Sequence, residues 1–179
     1  MKNKYTAEKY PAIRKATVEL LRASRRKNMI HSFIEVDITT ARKALKTLKR
    51  ESGQYISFTG YIIYCVGKAV ERDKHVHAYR DRRNRLIMFD DVDVSTTIER
   101  KVGEGNEVVA MIVRSANKKS IAAISKEIRQ EKNKDLDSAE VYRSIKRYLS
   151  IPAFIRRLIF RLLDRSPAQM KKRAGTVMV

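Results

Sequence analysis

Arg114, Lys118, Lys119 and Ser120 fall where a β-prone run, Glu107–Val113, gives way to a helical pattern beginning near Asn117. A helix start exposes backbone N–H groups and the positive end of the helix dipole. Cations beside it complete a site for phosphate or carboxylate. The bland reading of the same residues is a solvated helix N-terminus. Arg14 and Lys15 form a comparable basic pair near the start of the chain. Groups able to move protons or attack carbonyls are scarce: Cys65, His31, His75 and His77. Cys65 lies in an apolar stretch and reads as a small hydrophobe rather than a reactive thiol. His77 and Asp81 share an H-x-x-x-D spacing, but Arg82 follows and the spacing reads as coincidence. Glu99 with Glu104 or Glu107 reads as surface charge on a hairpin. No phosphate-binding Walker motif, no G-x-S-x-G and no Cys/His cluster for a metal occurs.

The elements that must position these groups follow from periodicity. Ala12–Lys27 reads as a helix through Ile13, Ala16, Thr17, Leu20 and Leu21. His31–Ile38 alternates and reads as a strand. Thr39 or Thr40 caps a helix that Gly53 ends near Arg50. Ser57 or Thr59 caps the next, whose apolar positions Tyr61, Ile62, Cys65, Val66, Ala69 and Val70 predict burial on most sides. Gly60 and Gly67 predict close approach of neighbours. Arg85–Phe89, Val92–Glu99 and Glu107–Val113 read as strands, the last two as a hairpin, and Tyr79–Arg85 as a charged turn. Ile121, Ile124 and Ile128 define a helix after Asn117. Another follows, from Asp137 or Ser138 to about Tyr148. Pro152–Arg165 is a basic helix with a broad apolar face, expected to be covered by protein, with lipid as the rival cover. Gly175–Val179 is β-prone.

The 179 residues suffice for one domain, and 43% apolar content predicts a folded chain. The charge is +20 and uneven: residues 1–50 carry 14 Lys/Arg against 4 Asp/Glu, and residues 140–179 carry 10 against 2. Such ends attract polyanions: nucleic acid, an anionic membrane, an acidic protein or a phosphorylated cofactor. No apolar run of about 18 residues predicts a membrane span. The polar start predicts no secretory signal. With one cysteine, a cytoplasmic location is expected.

Several passages together carry a resemblance. Ile13-Arg14-Lys15 with Ser24 resembles an opening I-R-K…S segment, and His31–Ile38 a first strand ending in aspartate. Ser57–Val70 is similar to a y-T-d-l-l-i-k-A-v helix. Val113-Arg114 through Ile121 resembles V-I-R-d-A-d-k-k-S-l, and Gly175–Val179 resembles a G-T-f-T-i strand. In this order they resemble the catalytic domain of the dihydrolipoyl acyltransferases of 2-oxoacid dehydrogenase complexes, in the chloramphenicol acetyltransferase-like superfamily.

The resemblance implies an α/β fold, a mixed sheet flanked by helices, with residues 1–11 a basic arm and 12–179 the acyltransferase-like domain. It implies acyl transfer between coenzyme A, as substrate, and a dihydrolipoyl thiol carried on a separate chain. Coenzyme A phosphates would then meet Arg114, Lys118, Lys119, Ser120 and Arg14. It also implies a homotrimer or higher assembly, with sites between subunits. The family's base is the histidine of a late H-x-x-x-D-G motif, and a Ser/Thr just after G-T-x-x-[IV] stabilises the oxyanion. This sequence has neither, so the domain is expected to be C-terminally incomplete, with no catalytic residue of its own and no activity alone. The hairpin also lacks the family's D-t-p-x-G-L-x-x-P-V pattern, and residues 136–173 are longer and more basic than its usual connection. The rival readings are a non-catalytic assembly relative and a basic protein of nucleic acid or membrane surfaces. Against nucleic acid, Tyr55, Phe58, Tyr61 and Tyr64 fall at a helix expected to be buried rather than on a stacking platform.

Overall fold

The computed structural model describes residues 15, 18, 21–22, 30–102, 105–134, 143, 146–163 and 165–179, the side chains of 101, 102, 105–107, 160 and 163 aside. The chain divides into two compact units, one of residues 1–34 with 137–160 and one of residues 35–136 with 161–179.

In the larger unit, helix α1 (Thr39–Ser52) stops at Gly53, whose left-handed φ of 63° closes the last turn. Its first turn is not capped by a threonine side chain. The Asp37 carboxylate accepts from the Thr39 N–H at 2.8 Å instead, and hydrogen bonding from the Thr39 side chain first, then from its backbone, holds the Asp37 pKa below the ordinary value. Helix α2 (Phe58–Arg72) begins at Ser57, whose hydroxyl accepts from the Gly60 N–H at 3.0 Å. Its buried face is Gly60, Ile63, Gly67 and Val70, rather than the face centred on Ile62 and Cys65. The reason is the glycines. A Cβ on Gly67 would stand 3.0 Å from the Asn117 backbone nitrogen, and one on Gly60 would collide with the Ser125 hydroxyl. The closest packing therefore follows the bare face, and Cys65 is left half-buried.

After a short 3-10 turn (Lys74–His77), strands β1 (Tyr79–Arg80) and β2 (Leu86–Ile87) pair antiparallel. The charged turn between them is organised by Asp81, which accepts from the Arg83 and Arg85 N–H groups and pairs with the Arg85 guanidinium. Strands β3 (Val94–Val102) and β4 (Gly105–Val113) form the expected hairpin, in register from Val94↔Val113 to Val102↔Gly105. Strand β4 begins at Gly105, two residues before the expected Glu107.

Helix α3 (Ile121–Asn133) packs Ile124 and Ile128 onto the hairpin and α2. Together with Ile63, Val70, Val92, Val94, Ile98, Met111, Val113 and Ala116 they make the core. Each Ile, Val or Met side chain among them, fully buried, contributes on the order of 1.5–3 kcal/mol. Arg100, on the core-facing side of β3, is also buried and pairs with Glu131 of α3. Helix α5 (Pro167–Ala174) follows α4 (Ala153–Leu163) and leads into β5 (Val177–Met178), which joins β3 in parallel. The sheet order β4-β3-β5 is thus mixed.

His31–Ile38 forms no strand. Residues 30–38 find no ladder partner among the described residues, and Phe33 is 99% exposed. Alternation marks a segment able to pair, but a strand exists only where a neighbour accepts its hydrogen bonds. Of the expected helix Ala12–Lys27, residues 15, 18, 21 and 22 are described and helical. In the smaller unit residues 146–150 are helical, and the chain breaks at Ile151-Pro152 before α4. Arg156 turns inward there (8% exposed). Its Nη1 donates to the carbonyls of Leu149 (2.9 Å) and Ile151 (2.5 Å), and the guanidinium lies 5.2 Å over the Tyr148 ring.

Candidate functional site

The corner after β4 collects the basic residues named from the sequence. Ser115 takes a left-handed φ of 48°, unusual for a residue with a Cβ. It is held there because the Asp93 carboxylate accepts its N–H at 2.9 Å. The next residue, Ala116, donates to the Val92 carbonyl at 2.8 Å. Asn117 is buried and serves three partners. Its side-chain oxygen accepts from the Val92 N–H, and its amide donates to Glu71 of α2 and to the Asp90 carbonyl. The turn that carries the cations is therefore fastened to α2 and to the segment that leads into β3. A buried amide with three partners specifies one geometry, since leaving any of them unpaired is costly.

Arg114 points at the last turn of α5. Its Nη1 donates to Asp93 (2.9 Å) and to the Lys171 carbonyl (2.9 Å), and its Nη2 donates to the Lys172 carbonyl. A guanidinium at a helix C-terminus meets both the unsatisfied carbonyls and the negative end of the dipole. Asp93 is the common anchor. Its backbone N–H donates to the Thr176 hydroxyl (3.1 Å), and its carbonyl accepts from the Thr176 N–H (2.7 Å). Gly175, with φ 75°, passes so close that a Cβ would stand 2.7 Å from the Asp93 carbonyl oxygen.

Lys118 pairs with Asp91 and Lys119 with Glu127 (2.6 Å). The hydrogen bond from Lys118 holds the Asp91 carboxyl below its ordinary pKa, and Asp91 raises that of Lys118. Asp90 is held low in the same way by Lys74. Ser120 caps α3 by accepting from the Ala123 N–H at 3.2 Å. The structure thus brings Arg114, Lys118, Lys119 and Ser120 to one corner, each already engaged. Lys118 is the most open, its side chain 62% exposed. Exposed ion pairs of this kind are worth little, so a phosphate can compete for the lysines. Arg114, with acceptors on two elements, acts as a clamp. Arg14 lies outside the described residues.

The other reactive groups stand elsewhere. His77 is 3% exposed and its Nε2 donates to the Phe89 carbonyl at 3.0 Å, while Asp81 is spent on Arg85. Burial foremost, then Lys171 and Lys74, push the His77 pKa down. His75 pairs with Asp73 on the surface. Among the described residues no group of three His, Cys, Asp or Glu could hold a metal. Sequence reasoning missed Asp93, Asn117 as a buried linchpin, and Thr176. The available signal was an aspartate inside an apolar strand run, Val92-Asp93-Val94, where a charge persists only with partners.

The family 2-oxoacid dehydrogenases acyltransferase (catalytic domain) matches residues 2–140, most of the chain, and the chain belongs to that family. Solved relatives share the mixed α/β fold. The truncated catalytic core of the 2-oxoacid dehydrogenase multienzyme complex from Thermoplasma acidophilum is 20% identical, with a TM-score of 0.54 over 71% of this chain and 57% of that one. A probable dihydrolipoamide acetyltransferase from Listeria monocytogenes is 18% identical, with a TM-score of 0.58 over 71% and 54%. The cubic core of the pyruvate dehydrogenase multienzyme complex is 15% identical, with a TM-score of 0.56 over 70% and 53%. The chain thus spans little more than half the length of these solved chains. Curated proteins give no match.

Proposed function

We propose that this chain takes part in acyl transfer between coenzyme A and a dihydrolipoyl thiol, as the front part of a catalytic domain. The family match over residues 2–140 carries this reading. Such transfer needs a thiolate to attack a thioester carbonyl, a base to make that thiolate, and a donor for the oxyanion. The contribution of this chain is binding. Lys118 and Lys119 meet the coenzyme A phosphates beside the Ser120-capped start of α3, and Arg114 keeps the corner in place through Asp93 and α5. His77, buried against Phe89, is not the base, and the H-x-x-x-D-G motif is not in the sequence. The chain alone is therefore inactive in transfer. The proposal extends to a cytoplasmic oligomer, a trimer or larger, served by a lipoyl group on another chain.

The internal pairing of Arg114, Lys118 and Lys119 favours one second reading, a non-catalytic assembly relative in which the corner is structural. Calorimetry separates the two. Coenzyme A should bind the folded chain about tenfold more tightly than dephospho-coenzyme A. Lys118→Ala with Lys119→Ala should erase the difference without changing the melting temperature. Equal affinities, or no binding by a folded sample, would remove coenzyme A from this corner and leave the assembly reading.

A further inference from the structure

Among the described side chains of helix α4 the buried one is Arg156, whereas Phe154 (70% exposed), Ile155, Leu158, Ile159 and Leu162 are open to solvent. At about 3.6 residues per turn, positions 154, 158 and 162 stack in a row with 155 and 159 beside them, so the five make one stripe. Arg157 and Arg161, both exposed, lie one turn apart along the edge of that stripe. The two carbonyl bonds and the Tyr148 ring that hold Arg156 fix the orientation. Rolling the stripe inward would break them. The helix lies outside residues 2–140, so the matched part of the family does not account for it.

Charge decides what can cover the stripe. Residues 140–179 carry 10 Lys/Arg against 2 Asp/Glu, and α4 itself has no acid. A second copy using the same face would set Arg157 and Arg161 against their own counterparts, and like charges oppose that contact. An anionic surface with an apolar interior satisfies both halves. We propose that α4 lies in the plane of an anionic lipid surface, its stripe among the acyl chains and Arg157 and Arg161 at the phosphate headgroups. Among the described residues no helix is long and apolar enough to cross a membrane, which fits a helix that lies flat. The proposal is independent of the acyl-transfer reading.

Flotation of the full chain with vesicles tests it. The chain should rise with phosphatidylcholine vesicles containing roughly one third phosphatidylserine and bind pure phosphatidylcholine at least about tenfold more weakly. Phe154→Asp changes the most exposed member of the stripe and should reduce binding to anionic vesicles by about tenfold or more, with melting temperature and elution volume unchanged. Arg157→Gln with Arg161→Gln should cost about tenfold on anionic vesicles and little on neutral ones. A wild-type chain that ignores anionic vesicles would overturn the proposal and leave the face to an acidic protein. Unchanged flotation of Phe154→Asp would overturn it in favour of adsorption by the basic surface at large. A Phe154→Asp chain that melts earlier or changes oligomer size would overturn it in favour of a protein cover.

Discussion

Helices α2 and α4 use similar residues to opposite ends. Both are short, both are rich in isoleucine, and both carry apolar side chains around much of their circumference. In α2 two glycines open one face, and neighbouring backbone enters it: Asn117 at Gly67 and Ser125 at Gly60. In α4 no glycine opens a face, and the inward anchor among its described side chains is an arginine. The contrast shows that apolar content alone does not decide which side of a helix is buried. Close approach and the anchoring of polar groups decide it, and the apolar remainder follows.

The largest expected effect probes that contrast directly. Ile63 is fully buried on α2, so Ile63→Ala should lower the unfolding free energy by about 2–5 kcal/mol in urea titrations. Leu158→Ala on α4 should stay within about 0.5 kcal/mol in the same assay. Equal losses would break the comparison, because they would mean that Leu158 is packed.

Arg156 and Arg157 sharpen it next. Arg156→Ala abandons two carbonyl partners and should cost about 1–3 kcal/mol. Arg157→Ala should be neutral by thermal melting, since that side chain is exposed. Losses in the reverse order would show that α4 is rolled the other way.

Gly67→Ala is smaller. Helix propensity favours alanine by about 1 kcal/mol, but the new methyl meets backbone atoms at 3.0 and 3.1 Å that cannot swing aside. A net loss of about 1–2 kcal/mol is expected from chemical denaturation. A stabilised variant would mean that the face has slack.

The smallest effect is a pH dependence centred on His77. The fold lowers its pKa from the ordinary 6.5, chiefly by burial, and among the described residues no acceptor meets Nδ1 to stabilise a second N–H. The unfolded chain therefore binds more protons just below pH 6.5. The contribution of the neutral ring is complete above that value and declines as pH falls toward the folded pKa. Asp90 and Asp91 act only lower, from about pH 3.8 downward. The urea midpoint should drop between pH 7.5 and 5.5 in the wild type and stay flatter in His77→Phe. Equal slopes would place the titrating group elsewhere.

Much of the larger unit was legible because local rules and tertiary packing agree there. Ser57 as a cap, Gly53 as a terminator, the β3–β4 hairpin and the close approach at Gly60 and Gly67 all follow from short-range chemistry. His31–Ile38 was misread because alternation cannot report whether a neighbour is present. At the corner, the sequence brought Arg114, Lys118, Lys119 and Ser120 together correctly. It could not show that each cation already had an acid, because Asp91 and Asp93 lie in the segment before β3 and Glu127 on helix α3. The inward turn of Arg156 was equally invisible, since the carbonyls that attract it belong to a chain break.

The pairing of β5 with β3 also sets an order of events during folding. Asp93 and Thr176 are 83 positions apart, whereas the strands β3 and β4 follow one another directly in the chain and pair as neighbours. Loop closure costs more entropy as the loop lengthens, so the hairpin forms early and β5 docks late. Until then Asp93 has a nearer partner in Arg114 and the Ser115 N–H, which shape its surroundings before the last strand arrives. Pulse-labelled hydrogen exchange should find the amides of β3 and β4 protected before those of Thr176 and Val177. On a ribosome, the hairpin would stand finished, one edge of β3 bare, while the residues of β5 are still being made.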